Sequence, residues 1–161
     1  MTRERTYTWE DPKVFVDAAR ELPGREFLDL ISAGELPPVP AGQTTGITPV
    51  GVGDGWAEFE MEPAEWHFNP IGSVHGGMLA GLADSALGCA VHSKLPAGTG
   101  YTSLDLTIKF TRAANLDSGT LRCRADVVTF GRRTATAEAR VTDSHGRVVA
   151  TAVATCLLLA S

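Results

Sequence analysis

Between Glu65 and Lys94 the chain carries one formally charged side chain, Asp84, set among small and apolar residues. A lone carboxylate inside an apolar helix is costly unless paired, hydrogen-bonded or protonated, so its presence calls for a reason. Counting by three, four and seven from Asp84 meets Gly77, Ala80, Gly81, Leu87, Gly88 and Val91. Most of these are small, which leaves room for a ligand or a second backbone. A buried acid satisfied by amides and hydroxyls, with glycines for close packing, fits the same pattern. Nine residues before Asp84 stands His75, opening His75-Gly76-Gly77 after a loop rich in Asn, Pro and Gly. At a helix start the first amides lack an intrahelical acceptor, and glycines let them approach a carbonyl oxygen closely. An electrophile at Gly76 would stand about 12 Å from Asp84 on one helix, at roughly 1.5 Å per residue. One helix therefore serves one reacting carbon poorly. A two-fold dimer does so by laying the start of one helix against the middle of its mate.

Positioning these residues falls to a helix and a set of strands. His75 to about Ser93 has no proline and enough Ala and Leu for about five helical turns. Ile47 to Val52, Gly53-Asp54-Gly55 and Trp56 to Met61 read as a hairpin, because Asp-Gly favours tight turns. From Ser103 to Thr111 the pattern alternates, with Leu104, Leu106, Ile108 and Phe110 on one side. Similar runs follow at Thr120 to Phe130, Arg133 to Thr142 and Arg147 to Leu159, separated by Gly131 and by Asp143 to Gly146. A helix that is apolar nearly all round must be covered, and only this antiparallel sheet is large enough. The expectation is an α+β fold, a sheet curled around one long helix, over residues 45–161. Residues 1–44 read as a helical arm, with helices after Asp11-Pro12 and from Arg25 to Ala33, then an extended connector at Leu36 to Pro40.

Composition narrows the function. A length of 161 residues fits one domain. Fourteen Lys and Arg against 19 Asp and Glu give a net charge of −5, which argues against non-specific binding to nucleic acid or anionic lipid. Cys89, Cys123 and Cys156 are odd in number and far apart, so neither a disulfide framework nor a metal site is expected. The charged start, Met1 to Trp9, lacks a signal-like apolar run, and Val148 to Ala160 is too short to span a bilayer as a helix. A cytoplasmic, reduced protein without membrane or nucleic-acid partners is expected.

The run Asn69-Pro-Ile-Gly-Ser-Val-His75-Gly76-Gly77, the spaced Asp84 and Tyr101-Thr-Ser103-Leu-Asp105-Leu together resemble the hotdog-fold acyl-CoA thioesterases of the phenylacetic-acid-degradation type, from about residue 45 to 159. The chain is similar, less closely, to the 4-hydroxybenzoyl-CoA thioesterases, a branch of which has Glu in place of Asp84. The resemblance implies hydrolysis of an aryl or medium-chain acyl-CoA, with coenzyme A as part of the substrate. It implies no cofactor and no metal, since a thiolate leaves readily. Asp84 would be general base towards water or nucleophile towards the carbonyl. The Gly76 N–H would hold the oxyanion, a contribution of about 3–4 kcal/mol. Asn69 would orient substrate or water, and Ser103 would hydrogen-bond the water beside Asp84. Asn69 and Gly76 would come from the opposite subunit of a homodimer, or of a dimer of dimers.

His75, beside Gly77 at the substrate, is expected neutral and structural. Lys109, Arg112, Arg132 and Arg133 are candidates for the coenzyme A phosphates, against the plainer reading of solvated strand-edge charge. Trp56 and Trp66 are candidates for an acyl pocket, against core packing. His92 is expected as a helix-dipole partner or surface residue. Two other functions compete. A hydratase or dehydratase of acyl thioesters needs a His and an acid at one site, and His67-Phe68-Asn69-Pro70 faintly resembles the His-Phe-Pro loop of acyl-carrier-protein dehydratases. Asp84 lies 17 residues after His67, further than that pattern places its acid. An acyl-CoA-sensing module needs no buried carboxylate, and residues 1–44 are too short and too little basic for a DNA-binding domain.

Overall fold

The computed structural model describes residues 1–159; Ala160 and Ser161, which end the expected 45–161 unit, lie outside the described residues. Three short helices come first: α1 (Lys13–Glu21), α2 (Gly24–Ser32) and α3 (Pro40–Thr45). The hairpin β1 (Ile47–Gly53) and β2 (Trp56–Met61) follows, then the long helix α4 (Gly76–His92). The rest is β3 (Gly100–Ser103), β4 (Thr107–Phe110), β5 (Leu121–Phe130), β6 (Thr134–Thr142) and β7 (Val148–Leu159). All strands join one antiparallel sheet in the order β1-β2-β5-β6-β7-β3, with β4 also paired to β7. This is the α+β arrangement expected, with α4 lying on β2, β5 and β6.

Small residues let the helix lie close to the sheet. Strand register aligns Ala57, Ala125, Ala139 and Ala152 in one row across β2, β5, β6 and β7. All four are buried, as are Leu79, Leu82, Ala86, Leu87 and Ala90 of α4. Each fully buried Leu contributes about 1.5–3 kcal/mol. Small residues opposite larger ones make a close-packed seam rather than a loose one.

Two expectations change in detail. The run from Ser103 to Thr111 is two strands, because the chain leaves the regular ladder after Ser103. The Asp105 carboxylate accepts the Thr155 N–H at 3.1 Å, and pairing resumes at Thr107 with Val153. A side chain that replaces a ladder carbonyl leaves no trace in the alternation. The extended connector ends sooner than expected, because Pro40 opens α3 at a first-turn position suited to proline.

The two sheet edges differ. The arm helices α2 and α3 cover β1, whereas among the described residues nothing pairs with the outer edge formed by β3 and β4. Leu104 is 56% and Phe110 53% exposed there, although their period-two pattern matches a buried face. The arm is fastened to the body by α2, by the ion pair of Arg3 with Glu65 and through Arg5, which also ties the N-terminal segment to α3. The Gly24 N–H donates to the Leu95 carbonyl at 2.9 Å. Arg5 donates to the carbonyls of Gln43 and Thr44 at 2.8 and 2.6 Å and lies 4.6 Å over the Trp66 ring. A side chain at Gly24 would place its Cβ 1.8 Å from the His92 carbonyl oxygen. Gly24→Ala is therefore expected to push α2 off α4 and to cost about 1–3 kcal/mol, read as a lower thermal midpoint by circular dichroism.

Candidate active site

Asp84 is exposed, which corrects the expectation of a buried carboxylate. The sheet seals most of α4 but leaves a strip open, and Gly77, Gly81, Asp84 and Ser85 lie along it. The acid that the chain does bury is Asp143. Its oxygens accept the N–H groups of His145 and Arg147 at 3.0 and 2.9 Å and the Arg147 Nε at 2.7 Å, closing the β6–β7 turn.

Alternation along β3 aims Tyr101 and Ser103 at the open strip. Ser103 Oγ donates to Asp84 Oδ1 at 3.3 Å. Tyr101 lies over Gly88, where a Cβ would stand 2.7 Å from the phenol oxygen. Two strand residues advance about 6.6 Å and four helix residues about 6 Å, so the two contacts repeat in step. In the sequence Tyr101 belongs to the Tyr101–Leu106 motif but has no role there, although its spacing of two from Ser103 puts both on one face of the strand. Burial, above all, raises its phenol pKa well above the ordinary value.

The start of α4 is built by His75 and Asn69. His75 is the N-cap, and its Nδ1 accepts the Gly77 N–H at 2.9 Å, so that nitrogen carries no proton. The Met78 N–H donates to the His75 carbonyl at 2.9 Å. The Gly76 N–H has no acceptor among the described residues. A Cβ on Gly76 would meet the Phe110 ring at 3.0 Å, so this amide sits beside an exposed aromatic edge. Asn69 holds the preceding loop: its Oδ1 accepts the N–H groups of Ile71 and Ser73, both at 3.1 Å, and its Nδ2 donates to Ser73 Oγ at 3.0 Å. That leaves one amide hydrogen of Asn69 to face a ligand.

The basic candidates do not gather in one chain. Arg112 bonds to Val149 and Arg133 to Leu158 through the backbone; 158 − 149 is nine residues of β7, about 30 Å at strand rise. Arg112 lies near Phe110 at the Gly76 end, and Arg132 and Arg133 lie beyond Tyr101 at the other end, whereas Lys109 points to the outer face of the sheet, in a groove with Arg122, Arg124, Glu138 and Arg140. Neither tryptophan lines a pocket near Asp84. Trp56 lies under the Arg124 guanidinium at 3.9 Å, and Trp66 is 58% exposed beneath Arg5. His92 is packed between the rings of Phe27 and Tyr101, at 5.3 and 5.4 Å, rather than standing on the surface.

His67 is buried, with both ring nitrogens engaged by backbone. Nδ1 accepts the Ala64 N–H at 3.0 Å, so Nε2 carries the proton and donates to the Thr45 carbonyl at 2.7 Å. Burial lowers its pKa, the Thr45 carbonyl opposes that shift, and Arg5 adds to it. Burial lowers the pKa of His92 as well. Below about pH 6.5 the unfolded chain takes up protons that these folded imidazoles refuse. Stability is thus expected to be full above that pH and to fall as the solution is acidified, by up to about 1.4 kcal/mol per pH unit for each group. Thermal midpoints from about pH 7.5 to pH 5.5 check the slope, which His67→Gln should flatten.

Asp84 and Ser103 open on a groove of about 1280 Å³ between α4, β1 and the arm helices. Among the described residues no group of three or more His, Cys, Asp or Glu is placed to hold a metal, and no helix is long and apolar enough to cross a membrane.

The geometry agrees with comparisons across known proteins. The model of the thioesterase superfamily matches residues 71–150, from the loop before α4 into β7. A solved structure from Ralstonia eutropha, provisionally named a thioesterase and related to phenylacetic acid degradation, is 32% identical. The match covers 80% of this chain and 97% of that one, with a TM-score of 0.71. The conserved protein PA5202 of Pseudomonas aeruginosa is 33% identical over 75% of this chain and 94% of its own, also with a TM-score of 0.71. A protein of Archaeoglobus fulgidus provisionally named an esterase is 30% identical over 102 residues, 63% of this chain. The chain spans 64% of that curated relative's length, somewhat under two thirds. Since the model runs through α4, Asp84 and Ser103, and a relative nearly one third identical is matched over almost its whole length, the chain belongs to the thioesterase superfamily.

Proposed function

We propose that the protein is a hydrolase of acyl-CoA thioesters, with Asp84 as the essential group. The observation that carries this reading is the Ser103–Asp84 hydrogen bond at 3.3 Å on the open strip of α4, facing a large groove. Water, activated by Asp84 as base, adds to the thioester carbon; the C–S bond breaks and the thiolate leaves, taking up a proton to give free coenzyme A and the acid. In the nucleophilic alternative Asp84 adds first and water then cleaves the mixed anhydride. Either way negative charge develops on the carbonyl oxygen, and the unpartnered Gly76 N–H is suited to receive it.

Asp84 and Gly76 stand about 12 Å apart in one chain, so the reading requires two copies. The uncovered β3–β4 edge with its exposed Leu104 and Phe110 is where a second copy fits. Antiparallel pairing about the middle of the 100–110 edge sets position 110 of one copy near position 100 of the other. That brings Gly76, with Arg112 near it, towards Asp84 and Ser103 of the mate and the Arg132–Arg133 turn. Arg112, Arg132 and Arg133 then come to one site for the coenzyme A phosphates, and Lys109, on the outer face of the sheet, stays outside it. Such a dimer, or a dimer of dimers, needs no cofactor and makes neither nucleic acid nor membrane its partner. The compartment proposed is the cytoplasm. The dehydratase reading is disfavoured by His67, whose ring nitrogens face the backbone of residues 45 and 64 rather than an acid.

Release of free thiol from a panel of aryl and aliphatic acyl-CoA substrates tests the reading. Thioester cleavage supports it, and hydration of an enoyl-CoA without thiol release replaces it with the runner-up.

A further inference from the structure

The groove beside Asp84 is made largely by the arm, which lies outside the matched stretch of the family model. One wall is α4 at Gly81 and Ser85; the other is Phe15 of α1, Phe27 and Ile31 of α2, and Val39 of the connector. Helix α2 is held in place by the Gly24–Leu95 hydrogen bond and α3 by Arg5, so the chamber is formed before any ligand arrives. From Asp84 the wall runs along α4 to His92, which stands between the tilted rings of Phe27 and Tyr101 at 5.3 and 5.4 Å. Those eight residues span about 12 Å. An extended chain advances about 3.5 Å for every three bonds, so this length holds about ten bonds.

We propose, on the hydrolase reading above, that this arm-built groove is the acyl chamber and that it selects long apolar acyl groups, of about eight to ten carbons, over short ones. Its arm wall is apolar at Phe15, Phe27, Leu28 and Ile31, whereas its α4 wall carries Ser85, Cys89 and His92. The Cys89 thiol belongs to the wall rather than to the chemistry, since burial, with Asp84 nearby, pushes it up to about 12. The groove, about 1280 Å³ in all, extends well past this path, so the length from Asp84 to His92 rather than the volume sets the chain length. Ile31 and Ser85 both line it, one on the arm and one on α4, and a larger side chain at either takes up space in it. Ser85 contributes no contact to another element through its hydroxyl, which donates back to the Gly81 carbonyl at 2.8 Å.

The test compares acetyl-, butyryl-, octanoyl- and decanoyl-CoA on the full chain, with Ile31→Trp and Ser85→Leu as independent ways to fill the chamber. Calorimetric binding of decanoate and butyrate gives a readout that needs no turnover. The expected result is a kcat/KM for decanoyl-CoA about tenfold or more above that for acetyl-CoA, and a decanoyl-to-butyryl ratio that drops about tenfold in either folded variant. Thioesters cleaved without dependence on chain length, or folded variants with the parent profile, overturn the chamber while leaving the hydrolase intact. If no thioester is cleaved but decanoate binds the parent and not Ile31→Trp, the hydrolase reading fails and the chamber stands. If decanoate binds neither, the chamber fails as well.

Discussion

Asp84→Asn is expected to fold as the parent does and to lose about 10²- to 10⁴-fold in kcat on acyl-CoA, the range that a positioned acid or base supplies. Asparagine keeps the shape and keeps an oxygen for the Ser103 hydroxyl, so only the capacity to take a proton or attack a carbonyl disappears. Because Asp84 is exposed and Ser103 is its one side-chain partner among the described residues, the unfolding free energy should stay within about 0.5 kcal/mol of the parent. Ser103→Ala should fall less, by about tenfold, as a hydrogen bond to a charged group is lost but the charge remains. A single turnover in oxygen-18 water, with a trap for an acyl-enzyme, separates the two roles of Asp84. A base leaves the label in the product acid and no acyl-enzyme, whereas a nucleophile gives a trappable acyl-enzyme and, where water opens the anhydride at the Asp84 carboxyl carbon, an unlabelled first product with the label on Asp84. Asp84→Asn with parental activity sinks the proposed chemistry.

Much of this site was legible in the sequence, and the reason for the remainder lies in what pattern records. Asp84 drew attention as a lone charge, yet the inference that it is buried followed from treating α4 as sealed on all sides. The helix is apolar nearly all round, but its glycines and alanines do not reveal which strip the sheet leaves open. That depends on strand order, and the uncovered edge at β3 and β4 sets it. The same ambiguity applies to Leu104 and Phe110: a period-two stripe marks a face that will be covered, and it does not distinguish cover by the same chain from cover by another. Tyr101 stands in the motif of the strand, but its contact with Gly88 is tertiary and no local pattern carries it. Asn69 was found by its motif, but its engagement with Ser73 and Ile71 is local loop geometry that a motif does not carry. Asp143 is the converse case. Its Asp-Ser-His-Gly turn was read correctly, and the sealed carboxylate that any buried-acid argument seeks was placed there by the turn itself.

Gly76→Pro tests the oxyanion donor, and pairing it with Gly76→Ala isolates the N–H. Proline is well tolerated at the first helical position, where its missing donor breaks no intrahelical bond. His75 before it already has ψ 136°, the extended conformation that a residue preceding proline requires. Both substitutions put a carbon near the Phe110 ring, at 3.0 Å for a Cβ, so both press on the same side chain. Steric effects are therefore shared, and the comparison reads the amide alone. Gly76→Ala is expected within a few-fold of the parent, while Gly76→Pro should lose about 10²- to 10³-fold in kcat, near 3–4 kcal/mol. Equal activity of the two would remove Gly76 from the chemistry. Mixing carries the argument to the subunits. In a two-fold dimer whose sites each take Asp84 from one copy and Gly76 from the other, an Asp84→Asn chain paired with a Gly76→Pro chain makes one doubly defective site and one intact site. Refolding the two inactive variants together should then restore about a quarter of parental activity, since half the dimers are mixed and each has one working site of two. A mixture that stays inactive would mean that each chain works alone, and with it the shared site would fall.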